Sequence, residues 1–68
     1  MITSNPKVCE RHNRIIENLN RTGLVKVSQL SEELGATTVT IRHDLDVLEQ
    51  GGILVRIQGG AVLPEFRS

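Results

Sequence analysis

The sequence has a single cysteine, Cys9, so it cannot form a disulfide bond within the chain. Small secreted domains usually depend on several disulfides, and their absence here favours the reducing environment of the cytoplasm. No apolar run approaches the roughly 20 residues that span a membrane, and the amino end lacks the apolar centre of a signal peptide. These absences favour a cytoplasmic protein without membrane contact.

Aromatic residues are almost absent as well, because Phe66 is the only one in 68 residues. A hydrophobic core must therefore be built from Leu, Ile and Val side chains. A chain of this length forms one domain and buries only about 60% of the surface that the unfolded chain exposes. That leaves little room for an enzyme cleft, so we expect a binding module with no enzymatic activity and no cofactor.

The chain also has no net charge, since eight Lys and Arg balance eight Asp and Glu. Such a balance gives no overall indication of nucleic-acid binding. The distribution along the chain is less even. Residues 7–26 carry five basic and two acidic side chains, residues 27–50 one basic and five acidic, and residues 51–68 two basic and one acidic.

The element around which the chain is organised is an amphipathic helix predicted over residues 38–50. At about 100° per residue, Ile41, Leu45 and Leu48 share one narrow stripe that faces the core. The opposite side of the helix is free to contact a partner. That side and its flanks carry Val39, Thr40, Arg42, His43, Asp46, Val47 and Gln50.

Capping residues agree with these bounds. Thr37 can cap the helix with its hydroxyl, and Gly51 stands where a left-handed residue would end it. An ordinary amphipathic surface helix would show the same features, so the flanking segments must decide between the two interpretations.

A first helix is predicted over about residues 6–22. Pro6 suits the first helical position behind Ser4 or Asn5 as cap, and Gly23 ends the helix. Its apolar face consists of Val8, His12, Ile15, Ile16 and Leu19.

Two short elements connect this helix to the central one. Residues 24–27 alternate and are β-branched, which predicts a strand, and Ser28 then caps a helix over about 29–34 that Gly35 closes. Two helices joined by a tight turn, the second exposing Thr, Arg and His, are typical of a helix-turn-helix. Two packed surface helices without a partner remain the alternative.

Two apolar runs around a Gly-Gly turn predict a β-hairpin, the wing, over about residues 53–63. In this hairpin Arg56 and Gln58 share one face with Leu54, so polar groups gather near the tip. The segment 24–27 can add a third strand, since a lone hairpin is marginal in water. The predicted fold is α+β: a small winged helix-turn-helix of three helices and a two- to three-stranded antiparallel sheet, in the order α-β-α-α-β-β.

With these elements in order, the chain resembles the amino-terminal domain of the DeoR family of bacterial transcriptional repressors over about residues 10–61. The specific part is the run Thr40-Ile41-Arg42-His43-Asp44-Leu45, followed by Gly59-Gly60-Ala61 in the wing. His43 departs from the family, which usually has a second Arg there, and Gln58 stands where a His is usual. Either departure bears on which DNA site is read. The other matching residues are Glu10, Arg11, Ile15, Ile16, Leu19, Gly23, Val25, Val27, Leu30, Leu34, Gly35, Leu48, Glu49, Gly52 and Arg56.

The resemblance implies sequence-specific binding to double-stranded operator DNA by a transcriptional regulator, a repressor of a sugar or carbohydrate catabolic operon. It also implies a larger carboxy-terminal domain that binds a phosphorylated sugar or related metabolite and assembles a homo-oligomer. Nothing in these 68 residues can form that domain. We therefore expect the chain to be the DNA-binding piece alone.

The predicted DNA-binding residues lie at the amino end of the central helix and in the wing. The methyl groups of Thr38 or Val39 can meet a thymine methyl, and Arg42 can bind either a guanine or a phosphate. Arg56 can reach the DNA backbone or the minor groove, or it can merely extend its charge from the strand into water. The full set is Thr37, Thr38, Val39, Thr40, Arg42, His43, Arg56, Gln58, Gly59 and Gly60.

Two acidic residues of the central helix need their own explanation, because phosphates repel carboxylates. Asp44 lies beside the core stripe, so we expect a structural ion pair with Arg11 or Arg14 of the first helix. Asp46 is expected to lie beyond the part of the helix that enters the DNA groove.

Two other classes of function stay open. A winged domain without net charge can be a protein-interaction module, which an exposed apolar patch would indicate. A metal or catalytic site would use Cys9, His12 and His43, but two ligands three residues apart make no zinc site without a second pair. No recognisable set of base, nucleophile and orienting residue is present. Cys9 is more simply a small hydrophobe, and His12 a residue at the edge of the core.

Overall fold

Three α-helices and three short strands make up the part of the chain that the computed structural model describes, which is the backbone of residues 6–66 and the side chains of residues 10–65. This arrangement confirms the predicted α+β winged helix-turn-helix. The elements are α1 (Pro6–Thr22), β1 (Leu24–Lys26), α2 (Val27–Leu34), α3 (Thr38–Gln50), β2 (Val55–Ile57), β3 (Gly60–Val62) and a 3₁₀ turn (Pro64–Phe66).

Apolar side chains from the three helices and the sheet meet in one core. The stripe predicted for α3 is confirmed, because Ile41, Leu45 and Leu48 are all buried. The same cluster includes Ile15, Leu19, Val25, Val27, Leu30, Leu54 and Ala61. Since α3 is held by this stripe, its opposite face is turned to solvent.

The sheet has β3 at its centre, between β1 and β2, and both pairings are antiparallel. Val25 of β1 and Arg56 of β2 both lie opposite Ala61. The hairpin strands are shorter than predicted, and the expected alternation of faces in β2 is not observed. Leu54 is buried just before the strand, whereas all three residues of β2 are half-buried. The reason is that β2 is an edge strand beside α3, so neither of its sides is fully covered or fully open.

The junction of β1 and α2 differs from its prediction. Val27 is the first helical residue, and Lys26 occupies the capping position without a side-chain hydrogen bond. Ser28, the predicted cap, therefore lies inside the first turn. The backbone N–H of Val27 donates to the carbonyl of Gly59 at 2.8 Å, so a contact with the wing satisfies one of the N–H groups that have no acceptor inside the helix.

Local hydrogen bonds define both ends of α3. The predicted cap is confirmed, because the hydroxyl of Thr37 accepts from the backbone N–H of Thr40 at 3.1 Å. The prediction of a left-handed Gly51 is wrong: its φ is −81°, and the left-handed residue is Gly52, with φ 78°. Gly51 stays helical because its N–H still donates to the carbonyl of Val47, at 3.2 Å.

Some predictions fall on residues that the structure does not describe. The proposed caps Ser4 and Asn5 and the side chains of Val8 and Cys9 lie outside the described residues. Within the described part of the chain, no helix is long and apolar enough to cross a membrane.

Candidate nucleic-acid interface

The outer face of α3 is exposed over its amino-terminal half. Thr38, Val39, Arg42 and His43 are all exposed, and Val39 keeps 72% of its surface open to solvent. Within the described part of the chain, neither Arg42 nor His43 engages in a side-chain hydrogen bond. We call these four residues the reading face, since an open methyl-bearing surface beside unengaged nitrogen donors is suited to contact a partner.

Thr37 and Thr40 shape the amino end of α3. Besides accepting from the backbone, the Thr37 hydroxyl donates to the Thr40 hydroxyl at 3.0 Å. Thr40 is half-buried and serves the cap, whereas Thr37 is exposed. The N–H groups of Thr38 and Val39 have no acceptor inside the helix, as at any helix start. The exposed hydroxyl of Thr37 thus stands beside two backbone donors.

The wing tip is the turn of Gln58 and Gly59. Both residues are exposed, and Gly59 has φ 80°, a left-handed conformation that glycine adopts without strain. Gly60 is placed differently from its prediction as a DNA-binding residue, because it is buried. A Cβ at Gly60 would come within 2.0 Å of the carbonyl oxygen of Val25. The close backbone approach that this glycine permits is therefore made to β1 and not to an outside partner.

Arg56 lies along the junction of α3 and the wing. Its Nη1 donates to the carboxylate of Asp46, and its backbone N–H donates to the carboxylate of Glu49 at 3.0 Å. Its Nε is buried and has no hydrogen-bond partner among the residues that the structure describes, and 27% of the side chain is exposed. Arg56 therefore neither extends freely into water nor stands at the wing tip. Asp46, which we expected beyond the part of the helix that enters the DNA groove, is paired with Arg56.

Asp44 is buried where α3 packs on α1, with 1% of its surface exposed. Of its two predicted partners, Arg11 contacts it: Nε and Nη2 donate to the two carboxylate oxygens, the second at 3.1 Å. Arg14 is exposed. The hydrogen bond from Arg11 to Asp44 raises the pKa of Arg11 above its usual value, because the carboxylate stabilises the charged guanidinium.

His12 is a further partner of Asp44 that sequence reasoning missed. Its Nε2 lies 3.1 Å from the Asp44 carboxylate oxygen Oδ1, so His12 is more than a residue at the edge of the core. The only usable signal was its place on the apolar face of α1. No periodicity joins residues that are 32 positions apart, and the same limit hid the contacts of Arg56 with Asp46 and Glu49.

The two alternative functions, a protein-interaction module and a metal site, would require an exposed apolar patch or a cluster of metal-binding side chains. Among the side chains that the structure describes, the exposed large apolar ones come from three parts of the fold, and only Val39 belongs to the reading face. No group of three or more His, Cys, Asp or Glu side chains in the described part of the chain could hold a metal ion. The other exposed apolar residues are Leu24, Val47 and Ile53.

Helix α3 is the second helix of a helix-turn-helix, with one face exposed and the opposite face buried in the core. An antiparallel wing flanks it. These features define the class of winged helix-turn-helix DNA-binding domains. A family model, the DeoR-like helix-turn-helix domain, matches residues 11–67. The chain therefore belongs to the DeoR family, which confirms the resemblance found in the sequence. No solved structure was found to match the chain.

Several curated relatives are transcriptional repressors. The putative aga operon transcriptional repressor of Escherichia coli O157:H7 is 50% identical over 54 residues, which cover 79% of this chain and 20% of that protein. The putative galactitol utilization operon repressor of Escherichia coli strain K12 is 46% identical over 52 residues, covering 76% and 46%. The glycerol-3-phosphate regulon repressor of the same strain is 40% identical over 58 residues, covering 85% and 23%. The chain thus spans less than half the length of each.

Proposed function

We propose that this chain is the DNA-binding part of a repressor that binds a specific operator and controls an operon for sugar or carbohydrate catabolism. The observation that carries the proposal is the reading face, which is exposed while the opposite stripe of the same helix is buried. The names of two relatives, which refer to galactitol utilization and to glycerol-3-phosphate, support the carbohydrate assignment.

The reading face enters the major groove in this proposal. Helix α3 has 13 residues, which makes it about 20 Å long at 1.5 Å per residue, and the major groove is about 12 Å wide. The open methyl groups of Val39 and Thr38 meet thymine methyls. Arg42 donates to a guanine edge or a phosphate. His43, the next residue of the helix, lies beside Arg42 and faces the same groove.

The amino end of α3 and the wing bind phosphates on either side of that contact. The N–H groups of Thr38 and Val39 suit a phosphate, as helix starts commonly do, and the exposed Thr37 hydroxyl joins them by turning its proton from Thr40 to that phosphate. On the other side, Gln58 and Gly59 at the wing tip reach the next stretch of backbone or the minor groove. These contacts fix the orientation of the domain, whereas the reading face supplies the specificity.

Two parts of the proposal concern the longer protein. A phosphorylated sugar or related metabolite acts as effector through a domain beyond these residues, and a homo-oligomer brings several DNA-binding domains together. The lengths of the relatives support a longer protein, since the chain matches only 20–23% of the aga operon and glycerol-3-phosphate repressors, whereas the effector and the homo-oligomer are carried over from the resemblance to the family. Operators for a dimer then carry half-sites about one helical turn apart, or a multiple of that distance.

The test of DNA binding is a salt titration of the 68-residue chain with duplexes from the upstream region of its own gene. With about three to five phosphate contacts, log K should fall by about 0.9 per contact for each tenfold rise in salt. Binding by a single domain should also be weak. Tight binding that does not respond to salt would contradict the proposal.

The test of assembly is fusion of the chain to a dimerising coiled coil. Affinity for duplexes with two half-sites should rise, because the second contact becomes intramolecular. A duplex with the half-sites moved apart by half a helical turn is the control and should lose that gain. If no repeated half-site gains affinity, the dimeric part of the proposal is wrong.

A further inference from the structure

Arg56 is held by two carboxylates of α3 that stand three residues apart, Asp46 and Glu49. Asp46 accepts from the guanidinium Nη1, and Glu49 accepts from the backbone N–H at 3.0 Å. Because β3 is the only strand paired with β2 among residues 6–66, the outward N–H of this edge strand would otherwise face solvent. Helix and wing are thus joined by one contact to the side chain and one to the backbone of the same residue.

We propose that Asp46 and Glu49 are positioning residues that aim Arg56 at a DNA phosphate between the reading face and the wing. The inference rests on the proposed function. Nη1 donates to Asp46, and Nε is buried without a partner in the described part of the chain. Nη2, which makes no hydrogen bond to another described residue, is then the donor that points to the phosphate, and its direction is set before DNA arrives.

The charges on α3 support this role. An unpaired Asp46 beside the reading face would repel phosphates, whereas its pairing with Arg56 removes that repulsion and leaves a guanidinium with a donor to spare. Arginine loses considerable rotamer freedom when it binds, and Asp46 restricts the side chain in the free protein. The paired carboxylate therefore favours binding, although it is negative.

The first experiment needs no DNA. In nuclear magnetic resonance spectra of the free chain, Asp46 should slow rotation of the Arg56 guanidinium, and Asp46→Ala should restore rapid rotation. Glu49→Ala should speed hydrogen exchange of the Arg56 amide about fivefold, which corresponds to one hydrogen bond. Exchange at Ile41 in the core reports whether each variant is folded. Unchanged guanidinium rotation and amide exchange in folded variants would overturn the positioning role.

The second experiment measures affinity for a duplex that the wild-type chain selects from a random-sequence library. Asp46→Asn should weaken binding about three- to fivefold, the size of an exposed ion pair, although it adds one unit of positive charge. Glu17→Gln, on the exposed side of α1, adds the same charge away from Arg56 and should bind equally or more tightly.

A double-mutant cycle decides how Asp46 acts. In the Arg56→Ala background, Asp46→Asn should cause no further loss, because the positioned group is gone. If Asp46→Asn instead tightens binding as much as Glu17→Gln or more, then Asp46 competes with phosphate for Arg56, and the proposal is wrong. If the wild-type chain binds no duplex, the proposed function fails, and the measurements on the free chain alone decide whether α3 holds Arg56.

Discussion

Asp44 and Asp46 stand two residues apart on α3, and each binds an arginine from another element. Asp44 has 1% of its surface exposed and contacts Arg11 and His12 of α1. Asp46 keeps 51% of its side chain exposed and contacts Arg56 of the wing. Two residues turn a helix by about 200°, so one carboxylate faces the core and the other lies on the surface that we propose binds DNA.

This difference shows that the effect of a charged residue, on stability or on binding, depends on which face of the helix it occupies. A buried pair leaves a desolvated, unmatched charge when one partner is removed, which is strongly destabilising. An exposed pair is screened by water and salt and contributes little to stability. We therefore expect substitutions of Asp44 and its partners to change the stability of the fold. Substitutions on the exposed face of α3 should change DNA binding.

The largest effect should come from Asp44→Ala. Arg11 and His12 lose their shared charged acceptor and the three hydrogen bonds to it, so we expect the free energy of unfolding to fall by about 3 kcal/mol. That is a large share of the roughly 3 to 10 kcal/mol available to a domain of this size. Urea unfolding followed by circular dichroism measures the loss. Asp46→Ala is the matched control, with an expected change below about 1 kcal/mol, and similar losses in both variants would abolish the distinction.

The next effect should be on DNA affinity, in Arg42→Ala. This variant removes the charged donor of the reading face, and affinity for the upstream duplex should fall about 10- to 100-fold, the equivalent of one base contact. The melting temperature should not change, because Arg42 is exposed. Arg14→Ala removes the same charge from an exposed position on α1. Equal losses of affinity in the two variants would show that only net charge matters.

A smaller effect on stability is expected from His12→Ala. Nε2 of His12 is one of three nitrogen atoms placed around Asp44, so its loss should lower stability by about 1 kcal/mol, the contribution of one hydrogen bond. Asn13→Ala, at the exposed neighbouring position, is the control and should have little effect. A His12→Ala chain as stable as wild type would mean that Arg11 alone satisfies the carboxylate.

The smallest effect should be the pH dependence of binding through His43. Histidine changes charge near neutral pH, and nearby phosphates favour the charged form. Wild-type affinity should therefore be greater at pH 6 than at pH 8, by about two- to fivefold. His43→Arg should bind nonspecific DNA more tightly and without this dependence, whereas His43→Ala should bind less tightly and also without it.

Affinity at pH 6 and pH 8 at fixed salt, for these three proteins, is the measurement. Because His12 also contacts Asp44, unfolding is followed at both pH values to separate stability from binding. The same pH slope in all three proteins would place His43 outside the interface.

Local patterns predicted much of the fold. The stripe of Ile41, Leu45 and Leu48, the Thr37 cap and the third strand all follow from periodicity, turn residues and the needs of a short hairpin. The errors lie where elements meet. Val27 joins α2 because the wing accepts its N–H, and the bend after α3 falls at Gly52 because the carbonyl of Val47 still holds Gly51.

The candidate site divides in the same way. Helical spacing sufficed to place Val39, Arg42 and His43 together on one exposed face. It could not show that Gly60 is buried against β1 or that Arg56 turns to α3. Those positions depend on how the wing packs on its neighbours.

The sequence by itself determined which helix faces outward, which residues that face presents and which family the chain belongs to, because these depend on residues close together in the chain. Only the tertiary structure decided between Arg11 and Arg14 as the partner of Asp44, brought His12 to the same carboxylate, and showed that Asp46 and Glu49 hold Arg56. The physical reason is that an ion pair forms within about 4 Å between whichever charges the packing of separate elements brings together. Helical periodicity relates residues three and four apart, and it contains no information about residues 32 apart that meet across a core.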